Sequence, residues 1–257
     1  MTGVSETVEQ AFIAPRYLAG IGDPGWVTQP LHRVSGWSYR HDPLIPRVLL
    51  TSPDQLTQLR LAPLDPDDPD WWTIRKARTA DHPAWEATFQ SRTPVEIIAA
   101  FTDALTDPSG PPTAAPDPFT VLRVAGWETP RHFGGLAAPD GITRVERVGT
   151  PGSDLWMIET TPFVVEPTIW RAVFTGTTPL HLIAAVTQAL ADPAPIRRDP
   201  RRIPGWPRNR MTVHTRHIPT TDVAFALQRR ISALAERHRR VTDVAPAPPG
   251  PARGRTR

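Results

Sequence analysis

Residues 93–108 read TPVEIIAAFTDALTDP, and residues 178–193 read TPLHLIAAVTQALADP. The two stretches lie 85 residues apart and agree at ten of sixteen positions, so the chain carries a tandem duplication. Each stretch reads as a helix. Thr93 and Thr178 stand where an N-cap hydroxyl would accept a hydrogen bond from the first turn. Pro94 and Pro179 fall at the first helical position, where a missing N–H costs nothing. Glu96 completes a capping box in the first copy, and His181 takes its place in the second. Ile97, Phe101 and Leu105 form an apolar stripe at i, i+4 spacing, repeated by Leu182, Val186 and Leu190. Asp107-Pro108 and Asp192-Pro193 end the helices, because the residue before a proline is pushed out of the helical region. Ala99, Ala100, Ala184 and Ala185 keep one face thin enough for close packing on a sheet.

Upstream of each helix the period changes. Residues 47–52, 56–61, 71–76 and 85–89 read as strands in the first copy; residues 135–138, 142–148, 155–160 and 169–174 repeat them. The connections are tight turns, such as Pro53-Asp54 and Pro139-Asp140, which favours an antiparallel meander. A short helix opens each copy, over 27–35 and 119–125, and ends in Gly36-Trp37 or Gly126-Trp127. Glycine suits the left-handed residue after a helix. Trp37, Trp72 and Trp85 are answered by Trp127, Trp156 and Trp170 among apolar neighbours, so these six are expected in the core. Trp26, Trp71 and Trp206 have no counterpart and are the candidates for surface work.

The expected fold is α+β, with two tandem repeats and a basic C-terminal helix. Each repeat has a short helix, a four-stranded antiparallel meander and a C-terminal helix packed on the sheet. The first repeat spans 12–108, a proline-rich linker 109–118, and the second repeat 117–193. A basic segment follows over 194–243. It is irregular to 219 and helical over 221–240, with Val223, Leu227, Ile231 and Leu234 as the helix's stripe. Residues 244–257, rich in Pro, Gly and Arg, are expected to be disordered. Residues 11–18 are expected as an edge strand.

Composition excludes several functions. The chain has no cysteine, so disulfides, a thiol nucleophile and cysteine-ligated zinc are excluded. No apolar run approaches the ~20 residues of a membrane helix, and the N-terminus lacks the marks of a signal peptide. A cytoplasmic protein with no membrane contact is expected. The net charge of +3 hides an asymmetry: residues 1–193 sum to −8 and residues 194–257 to +11.

The tandem pattern resembles a known family. Gly36-Trp37, Ser52-Pro53-Asp54, Asp70-Trp71-Trp72, Trp85-x-Ala87-x-Phe89 and the helix from Thr93-Pro94 to Asp107-Pro108 are similar to the actinobacterial SPDY domain. That family is catalogued as domain of unknown function 317 and usually occurs in two copies. The opening Pro15-Arg16-Tyr17-Leu18-Ala19-Gly20 fits it too. Two positions depart: Gln55 replaces the tyrosine of the name motif, and the second copy reads Ala138-Pro139-Asp140-Gly141. The resemblance implies no activity, cofactor or catalytic residue.

The remaining polar groups read as structure. Ser52-Pro53-Asp54 suits a β-turn better than half of a catalytic set, since no histidine recurs beside it in both copies. His214 and His217 have metal-ligand spacing for a helix but no Cys or carboxylate nearby. Asp65, Asp67, Asp68 and Asp70 lack the Gly and distal Glu of a calcium loop, so they read as a solvated turn. No phosphate-cradling glycine motif is present. The reading is a non-catalytic binding module with no cofactor and an unidentified protein partner, a scaffold or adaptor. The alternative is nucleic-acid binding through the tail. Its candidate contacts, to nucleic acid or a partner, are Arg197, Arg198, Arg201, Arg202, Arg208 and Arg210, then Arg229, Arg230, Arg237, Arg239 and Arg240 on the helix. The same helix is complementary in charge to the acidic body of its own chain.

Overall fold

The structure, a computed structural model, describes residues 6–41, 47–63, 70–114, 117–131, 134–150, 154–162, 168–205 and 208–244. Strand β1 (Thr7–Ala14) opens the chain. The first unit runs α1 (Gly25–Arg33), β2 (Ser38–His41), β3 (Val48–Thr51), β4 (Thr57–Leu61), β5 (Trp72–Lys76), β6 (Trp85–Phe89) and α2 (Val95–Leu105). The second runs α3 (Pro118–Val124), β7 (Leu136–Ala137), β8 (Thr143–Val148), β9 (Leu155–Thr160), β10 (Trp170–Thr175) and α4 (Leu180–Ala191). The tail holds β11 (Ile196–Arg198), β12 (Thr212–Pro219), α5 (Thr220–Ala224) and α6 (Ala226–Val244).

The fold is α+β, and the two units share one sheet. Its nine strands run β2-β3-β4-β5-β6-β10-β9-β8-β7, every neighbour antiparallel. The junction is β6 against β10, with Ala87 opposite Phe174, Thr88 opposite Val173 and Phe89 opposite Ala172. Thr88 and Val173 are themselves 85 residues apart, so the duplication's approximate two-fold axis passes between them. Period-two alternation sends Leu59, Leu61, Ile74 and Ala87 inward in one unit and Val145, Ile158 and Ala172 in the other. Helices α2 and α4 pack side by side on that inner face. Phe89, Phe101 and Phe174 meet at the junction with centroids 5.5–5.9 Å apart. All six paired tryptophans are buried, none more than 5% exposed.

The long helices start differently from the sequence expectation. Neither threonine caps. Thr93 is fully buried and its hydroxyl has no partner, while the Thr178 hydroxyl donates to the Glu86 carbonyl. Thr178 is drawn to β6 instead of capping its helix. Pro94 and Pro179 act as N-caps through their carbonyls, which accept from Ile97 and Leu182. Glu96 therefore makes no capping box and is free for a distant partner.

Ser52-Pro53-Asp54-Gln55 is the β3–β4 corner, as a turn reading requires. Gln55 N–H donates to Ser52 O at 2.9 Å, Leu56 N–H to Asp54 Oδ1 at 3.0 Å and Thr57 N–H to Ser52 Oγ at 2.9 Å. The Ser52 hydroxyl and the Leu56 N–H hold the Asp54 carboxyl below its ordinary value. The fourth residue is left-handed in both copies, Gln55 at φ 59° and Gly141 at φ 73°. In the second copy Asp140 is also used at long range, accepting the Tyr17 hydroxyl at 2.7 Å. Burial, then the Asp140 charge, push that phenol up.

Four expectations are corrected. Among the described residues the first unit has five strands, because β2 adds to the sheet's edge. The lead-in strand is not an edge: β1 is the centre of a separate three-stranded sheet, β11-β1-β12. The segment before residue 219 is ordered into β11, β12 and two 3-10 turns. The tail helix breaks at Phe225 into α5 and α6. The aspartates at 65, 67 and 68, Trp206 and residues 245–257 lie outside the described residues.

Candidate functional site: a groove over the paired long helices

The outer faces of α2 and α4 form the floor of a groove of about 1440 Å³. Ala99, Ala100 and Ala104 come from α2, Ala185 and Ala189 from α4. Ala100/Ala185 and Ala104/Ala189 are equivalent across the duplication, so each repeat supplies half of the floor. The walls come mostly from segments outside the repeats. Gln10 and Phe12 of β1, Arg197 of β11, and Leu227 and Arg230 of α6 stand around it. Trp26 of α1 stands among them, with the Arg230 guanidinium 5.3 Å above its ring.

The tail is held over the floor by ion pairs. Arg198 is 7% exposed and grips Glu96 with two bonds of 2.6 and 2.7 Å, and it also donates to Gly20 O at 2.9 Å. Arg230 grips Asp103 with bonds of 2.8 and 2.9 Å and donates to Trp26 O at 3.1 Å. Arg237 pairs with Asp107; the lead-in is tied down in its turn, Arg16 pairing with Asp192 at 2.5 Å. Burial pushes the Asp103 carboxyl up even though the Arg230 charge pulls it down. Burial and the nearby Arg229 charge lower Arg197.

The tail arginines singled out from the sequence thus have unequal fates. Arg198 is a buried structural contact, not a surface for nucleic acid. Arg230 is spent on Asp103 of α2, Arg237 on Asp107 just beyond that helix, Arg229 on Asp222 at 3.1 Å, and Arg239 and Arg240 on Glu236 at 2.6 and 3.1 Å. Arg197 is half-buried and donates to Asp222 O at 3.3 Å. Arg201, Arg202 and Arg210 are exposed, and the side chain of Arg208 lies outside the described part. Trp26 is half-buried on the groove wall, and Trp71 is half-buried against the core. His214 and His217 lie on an extended strand, three residues apart, so they point to opposite faces and cannot share one ion.

The acids that anchor the tail were missed from the sequence, although a signal existed. The first copy has Glu96 and Asp103 where the second has His181 and Gln188. Those departures from the repeat are the positions at which the tail's arginines pair with the first copy.

Fold and groove together define a duplicated α+β module with non-repeated segments folded back across its helices. Residues 51–111 and 137–196 each match the SPDY family model, described as a domain of unknown function (DUF317), so the chain carries two tandem SPDY domains. No curated protein and no solved structure matches it. Among the described residues no helix is long and apolar enough to cross a membrane.

Proposed function

We propose that the protein is a non-catalytic binding module of the cytoplasm that takes a polypeptide segment of a partner protein in the groove. The makeup of the groove carries this reading. Its volume of about 1440 Å³ exceeds the ~300–1,000 Å³ of small-molecule pockets. Its alanine floor lets a backbone lie close. Its wall charges are of both signs and largely neutralise one another, which offers little to a uniformly charged polymer and suits a polypeptide.

Nucleic-acid binding is the second reading, and the exposed Arg201, Arg202 and Arg210 favour it. The pairing of Arg198, Arg230 and Arg237 with the body counts against it. One experiment separates the two. A displayed random-peptide library is panned on the full chain and on Ala185→Trp, which fills the floor. Peptides that bind the wild type and not the variant support the groove. Peptides that bind both equally, or none enriched at all, overturn it. Labelled DNA bound with an affinity falling steeply in salt, the mark of phosphate neutralisation, would put the tail reading first.

A further inference from the structure

The outer edge of β12 pairs with no other strand among the described residues, although the strand is eight residues long. His214, Thr215, Arg216 and His217 are all exposed, so both faces of the strand are open there as well as its edge. Which backbone groups point outward follows from the register. Antiparallel partners alternate between pairs that exchange both hydrogen bonds and pairs that exchange none. Thr220 N–H donates to Glu6 O at 2.9 Å, which marks that pair as bonded, and the same register places Pro219, which has no N–H, opposite Thr7. Ile218, Arg216, His214 and Thr212 are then bonded to β1. Val213, Thr215 and His217 turn their N–H and C=O groups outward.

We propose that this edge is a strand-addition site for an extended acidic segment of a partner protein. Charge selects that occupant over a second copy. Antiparallel self-pairing that uses the outward groups is longest when centred on Thr215. It then sets His214 of one copy opposite Arg216 of the other, two basic side chains facing each other across the strands with no acid between them. A partner strand with Glu or Asp at the positions opposite His214 and Arg216 turns both contacts favourable. On that face β1 supplies Val8, Gln10 and Phe12 and no acid, with the Arg216 guanidinium 5.6 Å over the Phe12 ring. The other face carries Glu9 opposite His217, so the acids belong at alternate positions with uncharged β-branched residues between them. No residue of β12 lines the groove, so the edge and the groove floor can be tested separately even though Gln10 and Phe12 border both.

The test uses the full chain and a fluorescein-labelled peptide with Val-Glu-Val-Glu-Val flanked by threonines, followed by anisotropy. The glutamate peptide binds, and its glutamine analogue binds about three- to fivefold more weakly for the lost cross-strand carboxylate contacts to Arg216 and His214. Thr215→Pro removes an outward N–H and no bond to β1, and it weakens binding about tenfold. A peptide N-methylated at its central valine, measured on the unaltered chain, loses binding in the same way and serves if Thr215→Pro unfolds. Equal binding of the glutamate and glutamine peptides overturns the proposal, as does binding unaffected by Thr215→Pro and N-methylation. So does a dimer of the wild type, seen by sedimentation, that Thr215→Pro converts to monomer. Ala185→Trp leaves this binding unchanged.

Discussion

Gln55 and Gly141 occupy the same left-handed corner, and only one of them suits it. A non-glycine residue there costs roughly 1–2 kcal/mol. Gln55→Gly is therefore expected to raise the unfolding free energy, by up to about 1 kcal/mol once glycine's extra unfolded-state freedom is discounted. Denaturant melts read this directly, and a fall in stability would mean the Gln55 side chain holds something at that corner. The pair Arg198–Glu96 has the opposite sensitivity. Removing one partner leaves a buried charge uncompensated, which costs about 3–5 kcal/mol at fully buried pairs. Glu96 keeps 21% of its side-chain surface in solvent, so Glu96→Gln is expected toward the lower end of that range. The sequence placed Glu96 in a capping box because spacing alone is visible there; the competing partner is 102 residues away and leaves no local trace.

Helices and strands were legible wherever one face is buried and the other wet. The eight strands expected in the repeats all form, and β4, β6, β8, β9 and β10 show the alternating burial that made them readable. β2 and β12 were missed where that alternation is lacking. β12 is exposed on both faces over four residues, so no alternation marks it. The groove was illegible, since its walls come from three separate parts of the chain. Helix α6 is held mostly by charge: only Ile231 of its expected stripe is buried. Asp103→Asn or Asp107→Asn should therefore speed amide exchange along α6 and leave β4–β6 protected. Uniform acceleration would show that α6 is not a separate unit. On the open side of the sheet, Glu159 of β9 gives a pH dependence. Burial pushes its carboxyl up, but hydrogen bonds from Arg171 and Thr168 and the charges of Arg171 and Arg144 outweigh it and leave the group below its ordinary value. Its stabilisation is complete above the ordinary glutamate range, ~4.3, and is lost as pH falls through the depressed value. Melts of Glu159→Gln against wild type should converge toward acid and diverge toward neutral pH.

For the molecule as a whole, the junction makes two repeats one folding unit. The sheet is continuous through β6 and β10, and Phe101 of the first unit stacks on Phe174 of the second at 5.8 Å. Trp156→Ala in the second unit should cost about 3–5 kcal/mol. It should lower the unfolding midpoint of both halves together, with exchange in β5 and β9 following one transition. Two separated transitions would show that the halves fold independently. The duplication, the α+β class and the buried tryptophans were all readable from the repeated stretch. The single sheet was not, because nothing in either copy says which strand meets its counterpart.

That meeting has a consequence for descent. A last strand lying antiparallel to its own copy, with Thr88 facing the residue 85 positions on, is the geometry of a closed homodimer whose interface maps onto itself. Joining two such protomers into one polypeptide frees each to change alone. A symmetric pair would present Asp103 and Glu96 twice and so offer two berths for a tail. The fused chain keeps one berth, and Gln188 and His181 stand where the other would be.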